Sequence, residues 1–432
     1  ESIISKLSAL STLKVMSRSS VFHYKGKDVD PQAAGKALGV QGVLVGDVVP
    51  RDGFVTISVE LLNTRDNTEI WGDQFRRKET ELFALQDDVS KQIVQSLRLR
   101  LTSDEKEGLT RSPTESAEAY ELFLKGRYRW NKRTRADLEE SLNLFREAIE
   151  KDPAYAAAYA AMASSYDVLV AWGYLEPETG IREAELYARK ALELDDRLGE
   201  AHAALAGAME SSYDRVGALK EYRRAVELNP SDARSFQWYA EELATFRRFD
   251  EALVVARHAA ELDPLSFVIP AITAVFYGNS RRFESAIEIS QKIVDLDPTV
   301  PMGHLALGLA YTRAGKYAQA IPELEKGVAI SDSETTMLSW LGCAYGSGGM
   351  RESALRIDRY LEDLAKRSYV SPFLRALVAT GLGRRDRALE LLDEGVRNHD
   401  GWMSQTYEEI MFDPLRDDPK YTDIVKRLGL LQ

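Results

Sequence analysis

The 432-residue sequence predicts a small α/β domain followed by an all-α solenoid of stacked helical hairpins, and three observations carry that prediction. Alanine recurs in steps of 34 residues at Ala184, Ala218, Ala252, Ala286, Ala320, Ala354 and Ala388. Pro230, Pro264 and Pro298 each follow one of these alanines by twelve positions, where proline ends a helix because it cannot continue the hydrogen-bond ladder. The first hundred residues keep a different rhythm. In FVTISVELL, Val55, Ile57, Val59 and Leu61 alternate with Thr56, Ser58 and Glu60, the two-residue period of a strand with one buried face.

Residues 1–101 form the first unit. GVLVGDVV, FVTISVELL and TEIWGDQF are separated by PRDG and NTRDN turns, which predicts three antiparallel strands in a meander. Helices flank them at the extreme start, near DPQAAGKALG, and from about Leu82 to Leu101, the last with Leu85, Val89, Ile93 and Leu97 on one stripe. The Ser-, Thr- and Glu-rich residues 102–116 read as a linker.

In the second unit a small residue stands twelve positions before each of the last six rungs of the ladder: Ala206, Ala240, Ala274, Gly308, Gly342 and Ala376. Small side chains at both places let paired helices approach until large neighbours such as Leu205, Tyr239 and Leu307 interdigitate. SLNLFREAIEKDP puts Ser141, Phe145, Ala148 and Pro153 in the same slots, giving about eight hairpins over residues 117–400. From Ser141 to Ala184 is 43 residues, so a nine-residue insertion is expected in DVLVAWGYLEPETG, between the helices of the second hairpin. Residues 401–432 read as capping helices, with Tyr421, Ile424, Val425 and Leu428 on one face.

Composition narrows the class of work. Residues 1–101 carry 14 Lys+Arg against 13 Asp+Glu, while the rest carries 42 against 55, so the solenoid holds the acidity behind the net charge of −12. That sign disfavours nucleic acid or an anionic membrane as the main partner. No apolar run approaches the roughly 18 residues a membrane-spanning helix needs. The chain starts at Glu1 without Met or an apolar leader, as a fragment or processed chain does. The single cysteine, Cys343, excludes an internal disulfide.

The 34-residue period, with a small eighth residue, an aromatic eleventh (Tyr166, Tyr277, Tyr311, Tyr345), Ala at the twentieth and Pro at the thirty-second, resembles tetratricopeptide repeats. The resemblance implies a right-handed superhelix that binds proteins or peptides. The run from LKVMSRSS to WGDQF is similar to the domain related to the TolB amino-terminal domain that precedes such arrays in bacterial signalling proteins. With AYELFLKGRYRWNKRT and DPLRDDPKY, nearly the whole chain resembles the carboxy-terminal regions of bacterial serine/threonine kinases and of relatives ending in adenylate cyclase or winged-helix modules. An extracytoplasmic placement is what this resemblance implies. That domain usually opens with an apolar strand before its first helix, whereas this chain begins inside that helix, so the sheet is expected to lack an edge or to borrow one from a partner, a route to a homo-oligomer.

No catalytic constellation stands in the chain: glycine-rich loop, HRD and DFG motifs are absent, and the five histidines are scattered without metal-ligand spacing. No cofactor is expected. His202 and His304 occupy the fourth repeat position, which reads as core or rim. Cys343 lies on a helix without an adjacent base, which reads as an inert thiol. GSGGM at residues 346–350 falls where every repeat turns.

What remains is surface. The repeat ruler places Arg234, Gln237, Trp238, Glu241, Ile272, Val275, Asn279, Met302, Leu305, Leu309, Arg313, Ser339, Trp340 and Ser347 along a concave groove. The groove reads as a peptide site anchored by Trp238 and Trp340, or else those rings pack between repeats. Trp130, inside the basic run KGRYRWNKRTR, and Trp172 and Tyr174 of the insertion are secondary contact candidates. The rival expectation is a small-molecule ligand between the two units.

Overall fold

The computed structural model describes the chain apart from residues 1, 11, 28, 52–53, 79–81, 98–101, 103–112, 133, 172–173, 332–334 and 432. Three strands, β1 (Gly42–Arg51), β2 (Phe54–Asn63) and β3 (Glu69–Lys78), form an antiparallel sheet in the order β1-β2-β3. The alternation read in β2 has its physical cause here. Val59 and Leu61, with Phe75 of β3, pack against Leu7 and Leu10 and against Val89, Ile93 and Val94 of the helix Leu82–Ser96. That helix ends earlier than the expected Leu101, and residues 98–101 lie outside the described ones, as does most of the expected linker. A short helix, Arg18–Phe22, was not anticipated. Ser17 caps it by accepting the Ser20 N–H at 3.2 Å, a local bond that a polar SRSS run supplies.

Sixteen helices follow as eight hairpins, with first and second helices at Ala117–Trp130 and Arg135–Lys151, Ala156–Ala171 and Pro177–Leu194, Gly199–Ser211 and Arg215–Leu228, and Ala233–Thr245 and Phe249–Leu262. The remaining four are Val268–Asn279 and Phe283–Leu296, Pro301–Arg313 and Tyr317–Ile330, Thr335–Ser347 and Arg351–Ala365, and Pro372–Gly381 and Arg385–Arg397. All seven ladder alanines are 0% exposed. At the partner position, a Cβ on Gly308 would stand 2.5 Å from Leu324 Cγ, so nothing larger than hydrogen fits without displacing that leucine. In the second hairpin both helices are long, at 16 and 18 residues, which takes up much of the insertion.

A second 34-residue ladder runs through the turns. Tyr213, Arg247, Arg281, Gly315, Gly349 and Gly383 all adopt positive φ, from 60° to 82°. Each donates its N–H to the carbonyl three residues back, and the next residue donates to the carbonyl five back, as in Arg247 to Ala244 at 2.7 Å and Arg248 to Leu243 at 3.1 Å. This is the left-handed helix stop known as the Schellman motif. Three of the six positions hold side chains that pay a steric cost in that conformation.

First helices of successive hairpins pack on one another, whereas second helices pack on the first helices at either side. The first helices therefore crowd onto the inner wall. Beyond the last hairpin, two 3₁₀ turns (Gly401–Gln405 and Ile410–Leu415) lead into a helix, Pro419–Arg427, whose Tyr421, Ile424 and Val425 are buried together with Leu428. The first unit is strapped to the array: Ser17 N–H donates to Leu262 O at 2.9 Å, Val15 N–H to Ser231 Oγ at 3.2 Å, and Ser20 Oγ to Asp263 at 2.5 Å.

Candidate binding groove

The inner wall is divided into an open half and a filled half. The open half is a cavity of about 360 Å³ between the first helices of hairpins one to five and the strap of the first unit, at Ser8 and Ser17–Ser19. Its centre is Arg234. The guanidinium carbon lies 4.8 Å from the Trp130 ring centre and 5.9 Å from that of Trp238, whose ring stands 6.4 Å from Tyr222. Arg234 is the second residue of its helix, and Asp232 caps that helix start, accepting the Arg234 N–H at 3.3 Å and the Ser235 hydroxyl at 2.6 Å. Gln237, one turn on, donates to Glu241 at 2.9 Å. On the facing wall Arg127 pairs with Glu200 at 3.3 Å. The guanidinium thus lies over two indoles, in a cavity lined by hydroxyls, amides and the carboxylates of Glu200, Asp232 and Asp263.

Arg234, Gln237 and Trp238 line one cavity, and Trp130 joins them. That conjunction was not legible. Trp130 was assigned to a separate basic patch, yet it is buried at 4% exposure and forms the cavity wall. Described residues of the basic run around it have acidic partners: Lys125 bonds Glu121, Arg129 and Lys132 share Asp137, and Arg135 bonds Glu139. Arg133 and Trp172 lie outside the described residues. Tyr174 is half-exposed, with Arg135 over its ring at 6.0 Å.

The other half of the expected groove is occupied by the chain itself. Residues 407–413 lie over it: Arg313 bonds Glu409 at 2.5 Å, Arg247 donates to Tyr407 O at 3.3 Å, and Arg281 pairs with Asp413. Asn279, Leu309, Arg313, Ser339 and Trp340 are consequently buried, Trp340 at 2% exposure with Arg313 5.0 Å from its ring centre. Trp340 is therefore a core residue here: of the two readings given above, an open groove anchor or a ring packed between repeats, the burial is that of the second. Val275 and Leu305 pack against the same cluster, Ile272 against that of hairpin four, and only Met302 stays exposed on that stretch. The missed signal was YEEIMFDPLR, an acidic and aromatic run that complements a wall of arginine and apolar side chains.

Burial shapes the acids enclosed there. Glu408 is pushed up to about 8, chiefly by desolvation and then by the charge of Glu409, with Arg313 and a hydrogen bond to Asn279 pulling the other way. Glu241 is pushed up to about 7 by desolvation. His202 and His304 repeat one geometry, each bonding a glutamate on the paired helix, Glu221 at 2.6 Å and Glu323 at 2.8 Å. Cys343 is fully buried, and desolvation pushes its thiol up to about 12, out of reach of nucleophilic chemistry near neutrality. Among the described residues no group of His, Cys, Asp and Glu is disposed to hold a metal ion, and no helix is long and apolar enough to cross a membrane.

No protein-family model matches the chain. Over 211 residues it is 30% identical to putative adenylate cyclase 3 of Rhizobium meliloti (strain 1021), an alignment covering 48% of this chain and 36% of that protein. The chain thus spans about a third of the length of that relative. Among solved structures it is similar to yeast Tom70, at 15% identity and a TM-score of 0.46 over 80% of this chain and 82% of that one. It is also similar to YrrB, a tetratricopeptide protein with an unusual peptide-binding site, at 18% identity and a TM-score of 0.33 over 44% and 93%. The chain's own two 34-residue ladders specify an array of stacked helical hairpins.

Proposed function

We propose that this tetratricopeptide-type array is a protein-interaction scaffold that takes an extended peptide into the open half of its inner wall. The observation that supports it is Arg234 held between Trp130 and Trp238 on a cavity of about 360 Å³, with hydroxyl and amide groups around it. A cationic side chain over two indoles, in a cavity that also presents hydroxyls and amides, offers an extended peptide both aromatic area and polar groups. The chain's similarity to part of a putative cyclase, together with the resemblance of its first unit to the TolB amino-terminal-like domain, supports a sensory or interaction region within a bacterial signalling protein.

The test is selection of binders from a random-sequence peptide library on the full chain, repeated on Arg234→Ala/Trp238→Ala. Peptides retained by the native chain and lost by the double variant, with helical content unchanged, support the proposal. Equal retention by both sinks it. A second reading is favoured by one feature: the cavity is bounded by both units, so a small molecule there would strap them together. Its size suits a metabolite. Thermal stabilisation by a panel of free amino acids and sugars, with no peptide binder selected, would replace the first reading with this one.

A further inference from the structure

The return of residues 407–413 carries two adjacent acids into the inner wall, and they are served unequally. Glu409 meets Arg313 in a buried ion pair. Among the described residues no lysine or arginine pairs with Glu408, although only 4% of it is exposed. The groups that face it are Glu409 from its own stretch, Arg313 from the first helix of hairpin six, Asn279 from that of hairpin five and Glu241 from that of hairpin four. Other cations at the return are engaged elsewhere, Arg247 and Arg416 with Tyr407 O and Arg281 with Asp413. Asn279, 2% exposed, hydrogen-bonds Glu408, yet Asn279 Oδ1 and Glu408 Oε2 are both buried without a partner. While Glu408 is ionised both oxygens can only accept, and a buried acceptor left without a donor is costly. A proton on Glu408 supplies the missing donor. Acid and amide then match, N–H to the acid carbonyl and O–H to the amide carbonyl.

We propose that Glu408 is held as a neutral acid on Asn279 and works as a proton-operated latch: protonated, it fastens residues 407–413 over the inner wall, and ionised, it lets them lift. Ionisation sets a second carboxylate beside Glu409 and within the field of Glu241, with Arg313 left to serve them all. Burial supports the closed state in neutral solution, since desolvation, followed by the charge of Glu409, pushes Glu408 up to about 8. That value lies above the ordinary 4.5, so the contribution of Glu408 is present at lower pH and is lost as pH rises through it. Lifting releases Arg313 from Glu409 and lengthens the open half of the wall. The latch stands whether or not that open half takes a peptide.

The test follows hydrogen exchange of the full chain from mildly acidic to basic pH, with rates corrected for the intrinsic pH dependence of exchange. Opening of the amides in 407–413 should grow about tenfold per pH unit above the Glu408 value, the signature of one linked proton. Glu408→Gln, whose amide can donate to Asn279 Oδ1 at every pH, should show no such growth. Asn279→Leu removes the acceptor for the acid proton at nearly constant volume and should bring the onset of opening to lower pH. Infrared difference spectra at neutral pH give a second reading that needs no opening: native chain minus Glu408→Gln should contain the carbonyl band of a protonated carboxylic acid. Absence of that band overturns the proposal, as does opening that ignores pH in the native chain or keeps its growth in Glu408→Gln. An onset moved to higher pH in Asn279→Leu also overturns it, because the amide would then be stabilising the carboxylate instead of the acid.

Discussion

The Arg313 guanidinium meets the Glu409 carboxylate at 2.5 Å across 96 residues of sequence, with Glu409 at 0% and Arg313 at 6% exposure. This pair fastens the carboxy-terminal stretch into the inner wall. Glu409→Gln removes the counter-charge from a buried cation, and breaking such a pair costs about 3–5 kcal/mol. The expected result is a large drop in the urea midpoint. Arg313→Met/Glu409→Met, which removes both charges, should lose much less, and equal losses in the two variants would show that the pair is not what fastens the stretch.

Stability should fall as pH rises from mildly acidic to mildly basic. Glu408 titrates near 8 and Glu241 near 7 in the folded chain, both above the ordinary 4.5, chiefly because burial disfavours the charged form. The folded state therefore holds more protons than the unfolded state in that window, and it loses the advantage as pH climbs through the folded values. The slope contributed by one such group approaches about 1.4 kcal/mol per pH unit. Glu408→Gln, neutral at every pH, should flatten the decline in thermal midpoint between the two limits. An unchanged slope would contradict the assignment.

The three left-handed residues of the turn ladder that are not glycine all reach the returning stretch between residues 399 and 413. Tyr213 stacks on His399 at 4.9 Å, Arg247 bonds Tyr407 O, and Arg281 pairs with Asp413, while the three later turns use glycine. The side-chain grip on the returning chain offsets the backbone cost. Arg247→Ala loses the grip and keeps the strain, whereas Arg247→Gly loses the grip and relieves it. The glycine variant should therefore be more stable than the alanine variant by about 1 kcal/mol, with the native chain above both. A glycine variant more stable than the native chain would mean that the grip contributes nothing.

Legibility followed the range of the interaction. The alanine ladder could be read because each rung is a local demand, two helices crossing where only a small side chain fits, restated every 34 residues. The β2 alternation was legible for the same reason. Arg234 and Trp130 lie on helices separated by three intervening turns of the array, and no periodicity couples them. The return of residues 407–413 was hidden because Glu408, Glu409 and Asp413 read as ordinary surface acids until the arginines opposite them are known. Trp340 was misplaced by the same blindness, since a ruler that assigns a face does not say what covers it.

Hydrogen exchange of the full chain, with and without a library-selected peptide, bears most directly on the inner wall as a binding surface. The account predicts added protection in the first helices around Arg127–Trp130, Glu200–Ala203 and Ala233–Trp238, and none in the second helices behind them. Protection confined to the second helices, or spread evenly over both layers, would contradict it.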